Sequence, residues 1–320
     1  MSRDDRDKHL ITRGNVDGIA SAAVFLSRYP SSKISFVTSP RAGANALVKD
    51  RSSREIFLVD IALTRDVVEA VGHRKAQTVY LLDHHPSSMT EGMSGIRIVQ
   101  EGMSAAHVLY DHLRAGTHLK RLVSIADHLE YCETDLLKDT LRKHGRQRLE
   151  EEARILDFSW RLNIEDDEFR LVASKHLSEG HWPSQVGAVK RRYIQVLNEN
   201  RWGKAVARVK AGLEVREGVG IFQCNEKNRS LYGFGTRALV DVAQRRGCSY
   251  AMMLNDRKDN CSVSIRGMSD RGLDIGRFVE EFVTLHGMDG GGHPNSAGAR
   301  IPLPMENRFV DEFVSASLIR

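Results

Sequence analysis

No stretch of this sequence approaches the ~20 consecutive apolar residues that a membrane-spanning helix requires. Nor does an apolar segment follow the charged residues Met1 to Lys8, as it would in a signal peptide. A cytoplasmic protein with no membrane partner is therefore expected. Only four cysteines occur, Cys132, Cys224, Cys248 and Cys261, and no two are in C-x-x-C spacing. That argues against a disulfide framework and against a thiolate zinc site, and leaves buried free thiols. Internal repeats and low-complexity tracts are absent as well. So is a strong basic stripe: the formal charge of +5 permits a phosphate-bearing partner but is modest for a protein that grips extended duplexes.

What is present is a chain of 320 residues, 41% hydrophobic and 28% charged, long enough for two domains with a core each. Apolar strands are expected at residues 8–12, 35–38, 55–59, 78–82 and 96–99, with helical spacing at 19–29, 64–73, 105–113 and 119–131. Such alternation is the pattern of a parallel α/β sheet. Residues 135–161 read as one charged, solvated outer helix. Residues 184–200 read as a helix whose Lys190, Arg191 and Arg192 face solvent more readily than a phosphate. Beyond Lys204 the texture changes. Strands at 206–209, 219–223, 250–254, 261–266 and 297–301, with helices at 237–246 and 274–285, describe a second, smaller α/β domain.

Three times in the first half an apolar strand delivers an aspartate at or just beyond its C-terminal end: Asp17, Asp60 and Asp83. In open parallel sheets that is the end where ligands bind. His84 and His85 follow the third aspartate directly, and Asp127 lies beside the apolar face of a helix. Carboxylates gathered together repel one another and would protonate unless a cation joins them. A divalent metal is the simplest completion: Mn²⁺ first for mixed aspartate and histidine ligation, with Mg²⁺, Fe²⁺, Co²⁺ or Zn²⁺ as alternatives. Such an ion makes hydroxide from water at neutral pH and neutralises charge growing on a phosphoryl oxygen. Taken singly, each aspartate also reads as a helix cap or turn residue. The run Gly290-Gly291-Gly292 has two readings too, an anion-cradling backbone or a turn before the last strand.

Asn15-Val16-Asp17-Gly18 and Asp60 precede Asp83-His84-His85, while Asp127 and Gly290-Gly291-Gly292-His293 follow it. With these motifs in this order, the sequence resembles the DHH phosphoesterase superfamily over nearly its whole length. That family includes RecJ-like exonucleases, nanoRNases, phosphatases of phosphoadenosine nucleotides and hydrolases of dinucleotides. The resemblance implies a parallel-sheet DHH domain over residues 1–185, a helical connector over 186–204 and a smaller α/β DHH-associated domain over 205–320, with a cleft between the two domains. It further implies that Asp60 bridges two metal ions and that Asp17, His84 and Asp127 complete one of the sites. Asp83 would support the histidines, and His85 would contact the scissile phosphate. Arg266 would pair with a phosphate oxygen, and Gly290, Gly291, Gly292 and His293 would grip the far part of the nucleotide.

The first motif departs from the family pattern. Members of this type usually carry Thr-His-Gly-Asp-x-Asp-Gly, whereas here the run is Thr12-Arg13-Gly14-Asn15-Val16-Asp17-Gly18. Arg13 cannot coordinate a cation, and Asn15 offers only a neutral carbonyl oxygen. One metal position is therefore weakened or lost. Either the Arg13 guanidinium replaces the missing positive charge beside a single ion, or hydrolysis has been lost and nucleotide or nucleic-acid binding remains. Retained activity is favoured, because a pure binder would not need His85 and His293. The expectation is thus a phosphoesterase using one or two Mn²⁺ ions, or another divalent metal, on short RNA or DNA oligonucleotides or dinucleotides. Its alternatives are a non-hydrolysing binder and a phosphomonoesterase on phosphoadenosine nucleotides, and a homodimer is left open.

Overall fold

The computed structural model describes residues 3–74, 77–85, 95–225, 231, 233–268 and 272–318, with only the backbone described at Arg3, Asp4, Asp289 and His293. The chain divides into two compact units, Met1–Gln195 and Val196–Arg320.

The first unit is built on five strands, β1 (Lys8–Arg13), β2 (Lys33–Val37), β3 (Glu55–Val59), β4 (Thr78–Asp83) and β5 (Ile96–Val99). All pair in parallel, in the order β2-β1-β3-β4-β5. Both faces of the sheet are apolar: Leu10, Phe57, Val59 and Leu82 lie on one, and Ile11, Ile56, Leu58, Val79 and Leu81 on the other. Strands of that kind must be covered on both sides. Helices α1 (Val16–Arg28), α4 (Ala105–Leu113) and α5 (Lys120–Leu129) cover the first face. The second is covered by α2 (Pro40–Lys49) and α3 (Arg65–Gly72). The handover from β1 to α1 is so tight that a Cβ at Gly18 would stand 1.7 Å from the Arg13 carbonyl oxygen. Only glycine fits there.

A further helical layer packs on α1, formed by α6 (Asp135–His144), α7 (Arg146–Arg161) and α8 (Asp167–Leu177). The single solvated helix expected over residues 135–161 is therefore two helices, broken at Gly145 with φ 82°. The second of them is half core. Leu149, Ala153 and Leu156 are buried, and so is Glu152, whose carboxylate accepts from the Ser184 N–H (2.8 Å) and hydroxyl (2.6 Å). Helix α9 (Gly187–Asn198) follows. In the basic triplet Arg192 does not face solvent freely, because it pairs with Asp166 and lies 3.9 Å over the Phe169 ring.

The second unit contains α10 (Arg201–Gly212), β6 (Leu213–Arg216), β7 (Val219–Cys224), α11 (Gly235–Arg245), β8 (Tyr250–Asp256), β9 (Asn260–Gly267), α12 (Ile275–Leu285), β10 (Asp289–His293), β11 (Ser296–Pro302) and α13 (Glu306–Leu318). Its sheet has the order β10-β11-β9-β8-β7-β6, and only β7 and β8 pair in parallel. Two expectations are corrected here. Residues 206–209 are not a strand but part of α10, in which Ala205 and Val209 are buried one turn apart. The triple glycine is neither loop nor turn but strand β10, with Gly290 opposite Ala299 and Gly292 opposite Ala297. Cys132, Cys248 and Cys261 are buried, Cys224 is half-buried, and all four are free thiols. Among the described residues no helix is long and apolar enough to cross a membrane.

Candidate metal centre

In a parallel sheet of this strand order the sense of progression reverses between β1 and β3, and the crevice outside their C-terminal ends is the favoured ligand position. Arg13 ends β1, Asp60 follows β3, and Asp83, His84 and His85 end or follow β4. The chain turns at Asp60 with φ 58°, a left-handed conformation uncommon outside glycine. The Asp60 N–H donates to the Leu82 carbonyl (3.3 Å), which ties the turn to β4. The carboxylate is 3% exposed. Its Oδ2 has no hydrogen-bond partner among the described residues, while Oδ1 lies 3.7 Å from His84 Nε2.

Asp60, Asp83, His84 and His85 each bring one ligand atom within 4.8 Å of the others. A buried carboxylate oxygen without a donor is costly, and a cation would relieve it. Two carboxylates and two imidazoles without a thiolate form a donor set that fits a divalent ion. Asp83 is already engaged: its Oδ1 accepts from the His84 N–H (2.9 Å) and from His85 Nδ1 (2.6 Å). That contact places the His85 proton on Nδ1 and turns Nε2 away from Asp83.

The electrostatics are those of crowded acids sharing too little positive charge. Burial pushes the Asp17 carboxyl well above its usual range, and the charges of Asp60 and Glu130 add to the effect. At Asp60 burial pulls the same way but is outweighed by His84, Arg13 and His85, so its pKa is lowered. Burial opposes a charged His84, yet Asp60, the Cys132 thiol and Asp17 overcome it, and the imidazole is pushed up to about 12. Its proton occupies an electrostatic position that a metal ion would take over.

The other residues singled out in the sequence lie around this group or apart from it. Asp17 is fully buried, and its oxygens accept from the Ala105 (2.9 Å) and Ala106 (2.8 Å) N–H groups at the start of α4. Its Oδ2 stands 4.0 Å from His84 Nε2. Asp127 is also fully buried. Its Oδ1 accepts from the Ser104 N–H (3.1 Å) and hydroxyl (2.6 Å), and its Oδ2 meets His107 Nδ1 (2.8 Å) and the Thr134 hydroxyl (2.6 Å). Asn15 caps α1, with Oδ1 accepting from the Gly18 N–H at 2.8 Å. In the second unit Arg266 lies on β9 opposite Ser296, its Nη1 donating to the Ile265 carbonyl (2.8 Å). Gly290 and Gly292 are needed for packing. A Cβ at Gly290 would stand 2.9 Å from the Gly298 carbonyl oxygen, and one at Gly292 would stand 2.3 Å from that of Ser296. The His293 side chain lies outside the described residues.

Sequence reasoning passed over several supporting residues. Ser104, His107 and Thr134 hold Asp127, and Cys132 reaches His84. Arg170, 4% exposed, donates from Nε to the Gly14 carbonyl (2.9 Å) and from Nη2 to the Ile164 carbonyl, fastening the loop that carries Arg13 and Asn15. A histidine inside the apolar run Ala105-Ala106-His107-Val108-Leu109 was a readable sign of a buried partner. Nothing local marked Arg170.

Residues 237–317 match the family model of the DHHA1 domain. No curated protein sequence matches the chain. Among solved structures, the pGpG-specific phosphodiesterase PggH from Vibrio cholerae is 14% identical, with a TM-score of 0.57 over 96% of this chain and 98% of its own. The DHH domain of a member of the s1p family of ribosomal proteins is 14% identical, with a TM-score of 0.69 over 97% and 86%. RecJ from Thermus thermophilus, solved in complex with Mn²⁺, is 11% identical, with a TM-score of 0.65 over 97% of this chain and 52% of that one. The chain therefore spans about half the length of that RecJ. These likenesses define a two-domain α/β fold of the DHH type. At these identities the likeness is one of fold, and the family match itself is confined to residues 237–317, at the C-terminal end.

Proposed function

We propose that this chain is a metal-dependent phosphoesterase acting on short oligonucleotides or dinucleotides. The observation that carries the reading is the buried Asp60 carboxylate, with one oxygen lacking a partner among the described residues, beside His84 and His85 at the C-terminal ends of parallel strands. Asp60 and His84, with Asp17 beside them, would hold the ion, which when bound supplies Lewis acidity and lowers the pKa of water. Asp83 holds His85 through Nδ1, and His85 would contact a phosphate oxygen. Arg13, whose charge already acts on Asp60, adds a cation to balance the negative charge that grows on the phosphoryl group. The Asn15 side-chain oxygen is occupied as a helix cap, so the proposed stoichiometry is one ion.

Nucleotide binding without hydrolysis is the second reading, favoured by Arg13 and Asn15 standing where the family pattern has two ligands. One panel separates the two: the chain with Mn²⁺ is incubated with dinucleotides, a five-residue RNA and phosphoadenosine phosphate. Turnover of a dinucleotide or the RNA, lost in Asp60→Asn, is expected. Binding without turnover of any of them would refute the enzyme.

A further inference from the structure

Toward the end of β1 opposite Arg13, three side chains outside the candidate metal centre stand in line. His9 Nδ1 meets Asp50 Oδ2, and His9 Nε2 lies 2.8 Å from the Ser35 hydroxyl. Asp50 caps the C-terminus of α2, and Ser35 lies on β2, the outer strand of the sheet. The carboxylate is fixed by its own loop. Oδ1 accepts from the Ser52 N–H (2.9 Å), the Ser52 hydroxyl (3.1 Å) and the Ser53 N–H (3.1 Å), and Oδ2 accepts from the Ser53 hydroxyl (2.8 Å). Burial opposes a charge on Asp50, but the Ser53 and Ser52 donors outweigh it and hold the carboxyl well below its usual range. Burial, with Lys33 beside it, keeps His9 neutral. A neutral imidazole has one N–H, and a carboxylate can only accept. The proton therefore sits on Nδ1, and Ser35 donates to the lone pair on Nε2.

Exposure rises along the line. His9 and Asp50 are 1% and 3% exposed, whereas Ser35 is half-buried. A core histidine is satisfied by any two partners; a nucleophile needs them in the order carboxylate, imidazole, hydroxyl, with the hydroxyl outermost. We propose that Ser35, His9 and Asp50 form a second reactive centre, in which Ser35 is a nucleophile toward carboxylic esters. Ser35 Oγ bonds to the acyl carbon as its proton passes to His9 Nε2. The C–O bond to the alcohol then breaks, and the alcohol leaves with that proton. Water repeats both steps and frees the carboxylic acid. Charge on the acyl oxygen is offset by Lys33, two residues along the same face of β2, and by main-chain N–H groups on the free edge of that strand. No part of this chemistry draws on the metal.

The test treats the full chain, in EDTA, with a fluorophosphonate, which loses fluoride to an activated serine, and follows the adduct by intact mass and peptide mapping. One adduct is expected, at Ser35, forming about a hundredfold or more faster than on the urea-unfolded chain. Ser35→Ala forms none. His9→Gln slows the adduct by about a hundredfold or more, with a cooperative melt at neutral pH showing that the variant is folded. p-Nitrophenyl acetate releases a burst of about one nitrophenolate per chain, absent in Ser35→Ala. An unlabelled wild type, an adduct at another residue, a folded His9→Gln that labels at the wild-type rate, or a missing burst would each overturn the proposal. Because EDTA is present throughout, these outcomes leave the metal-dependent phosphoesterase reading untouched.

Discussion

Replacing Arg170 by methionine should unfasten the loop that carries Arg13 and Asn15. The side chain of Arg170 is buried, and it donates to two main-chain carbonyls, Gly14 (2.9 Å) and Ile164. A hydrogen bond from a charged donor contributes about 1.5–3 kcal/mol. Its third partner, Asp167, has a side chain 60% exposed, so that pair adds less than about 1 kcal/mol. Methionine keeps much of the apolar stem, which leaves a loss of about 3–5 kcal/mol carried by the two carbonyls. For a unit of this size each kilocalorie lowers the melting temperature by about 2–4 °C. The melt of the N-terminal unit, followed by calorimetry on the full chain and fitted apart from the second transition, should therefore fall by about 6–20 °C. Arg170→Lys should recover less than half of that, because an ammonium cannot fork to two acceptors. A fall below about 3 °C, or a lysine variant that melts with the wild type, would refute the reasoning.

Asp60→Asn should abolish calorimetric Mn²⁺ binding and also lower the metal-free melting temperature, since His84, Arg13 and His85 hold the Asp60 carboxylate in its charged form and that stabilisation is lost on neutralising it; undiminished Mn²⁺ binding would rule Asp60 out as a ligand. Arg13→His combined with Asn15→Asp should raise the bound Mn²⁺, measured by elemental analysis, from about one ion to about two, and helix α1 should survive because aspartate caps as well as asparagine does. His9 lies buried between Asp50 and Ser35, with Nε2 2.8 Å from the Ser35 hydroxyl. Burial, reinforced by Lys33, holds its pKa down to about 4, against an ordinary 6.5. Below the ordinary value the unfolded chain takes a proton that the folded chain refuses, so stability should fall by about 3 kcal/mol as pH drops from about 6.5 to about 4. Denaturant titrations of wild type and His9→Gln should differ in that window and run parallel above it.

The strand ends were readable because a parallel strand covered on both faces is an almost unbroken apolar run, and Asp60 and Asp83 interrupt two such runs. Residues 206–209 misled because their valines favour strands, whereas the burial of Ala205 and Val209 belongs to a helix that packs against α11. The glycine run misled in the opposite direction. Glycine suggests a loop, but Gly290 and Gly292 are small because neighbouring backbone approaches them within a strand. The supports of the centre were out of reach for a different reason. Asp127 is held by groups contributed from Ser104, His107 and Thr134, and Gly14 is held by an arginine on α8. Such pairings are set by how helices pack, not by the spacing of residues along the chain.

The two sheets also differ in how they can assemble. In the second unit β8 and β9 form a hairpin, as do β10 and β11, so most of its ladder joins neighbours in sequence. The first sheet has no such shortcut: β1 must wait for β3, because Lys8 pairs with Glu55 and Thr12 with Val59. Loop closure of that kind slows folding. During synthesis β1 leaves the ribosome as an apolar strand with no partner until β2 and β3 have followed it. The part of the chain that carries Asp60 and His84 is thus the part most in need of protection by a chaperone before its sheet closes.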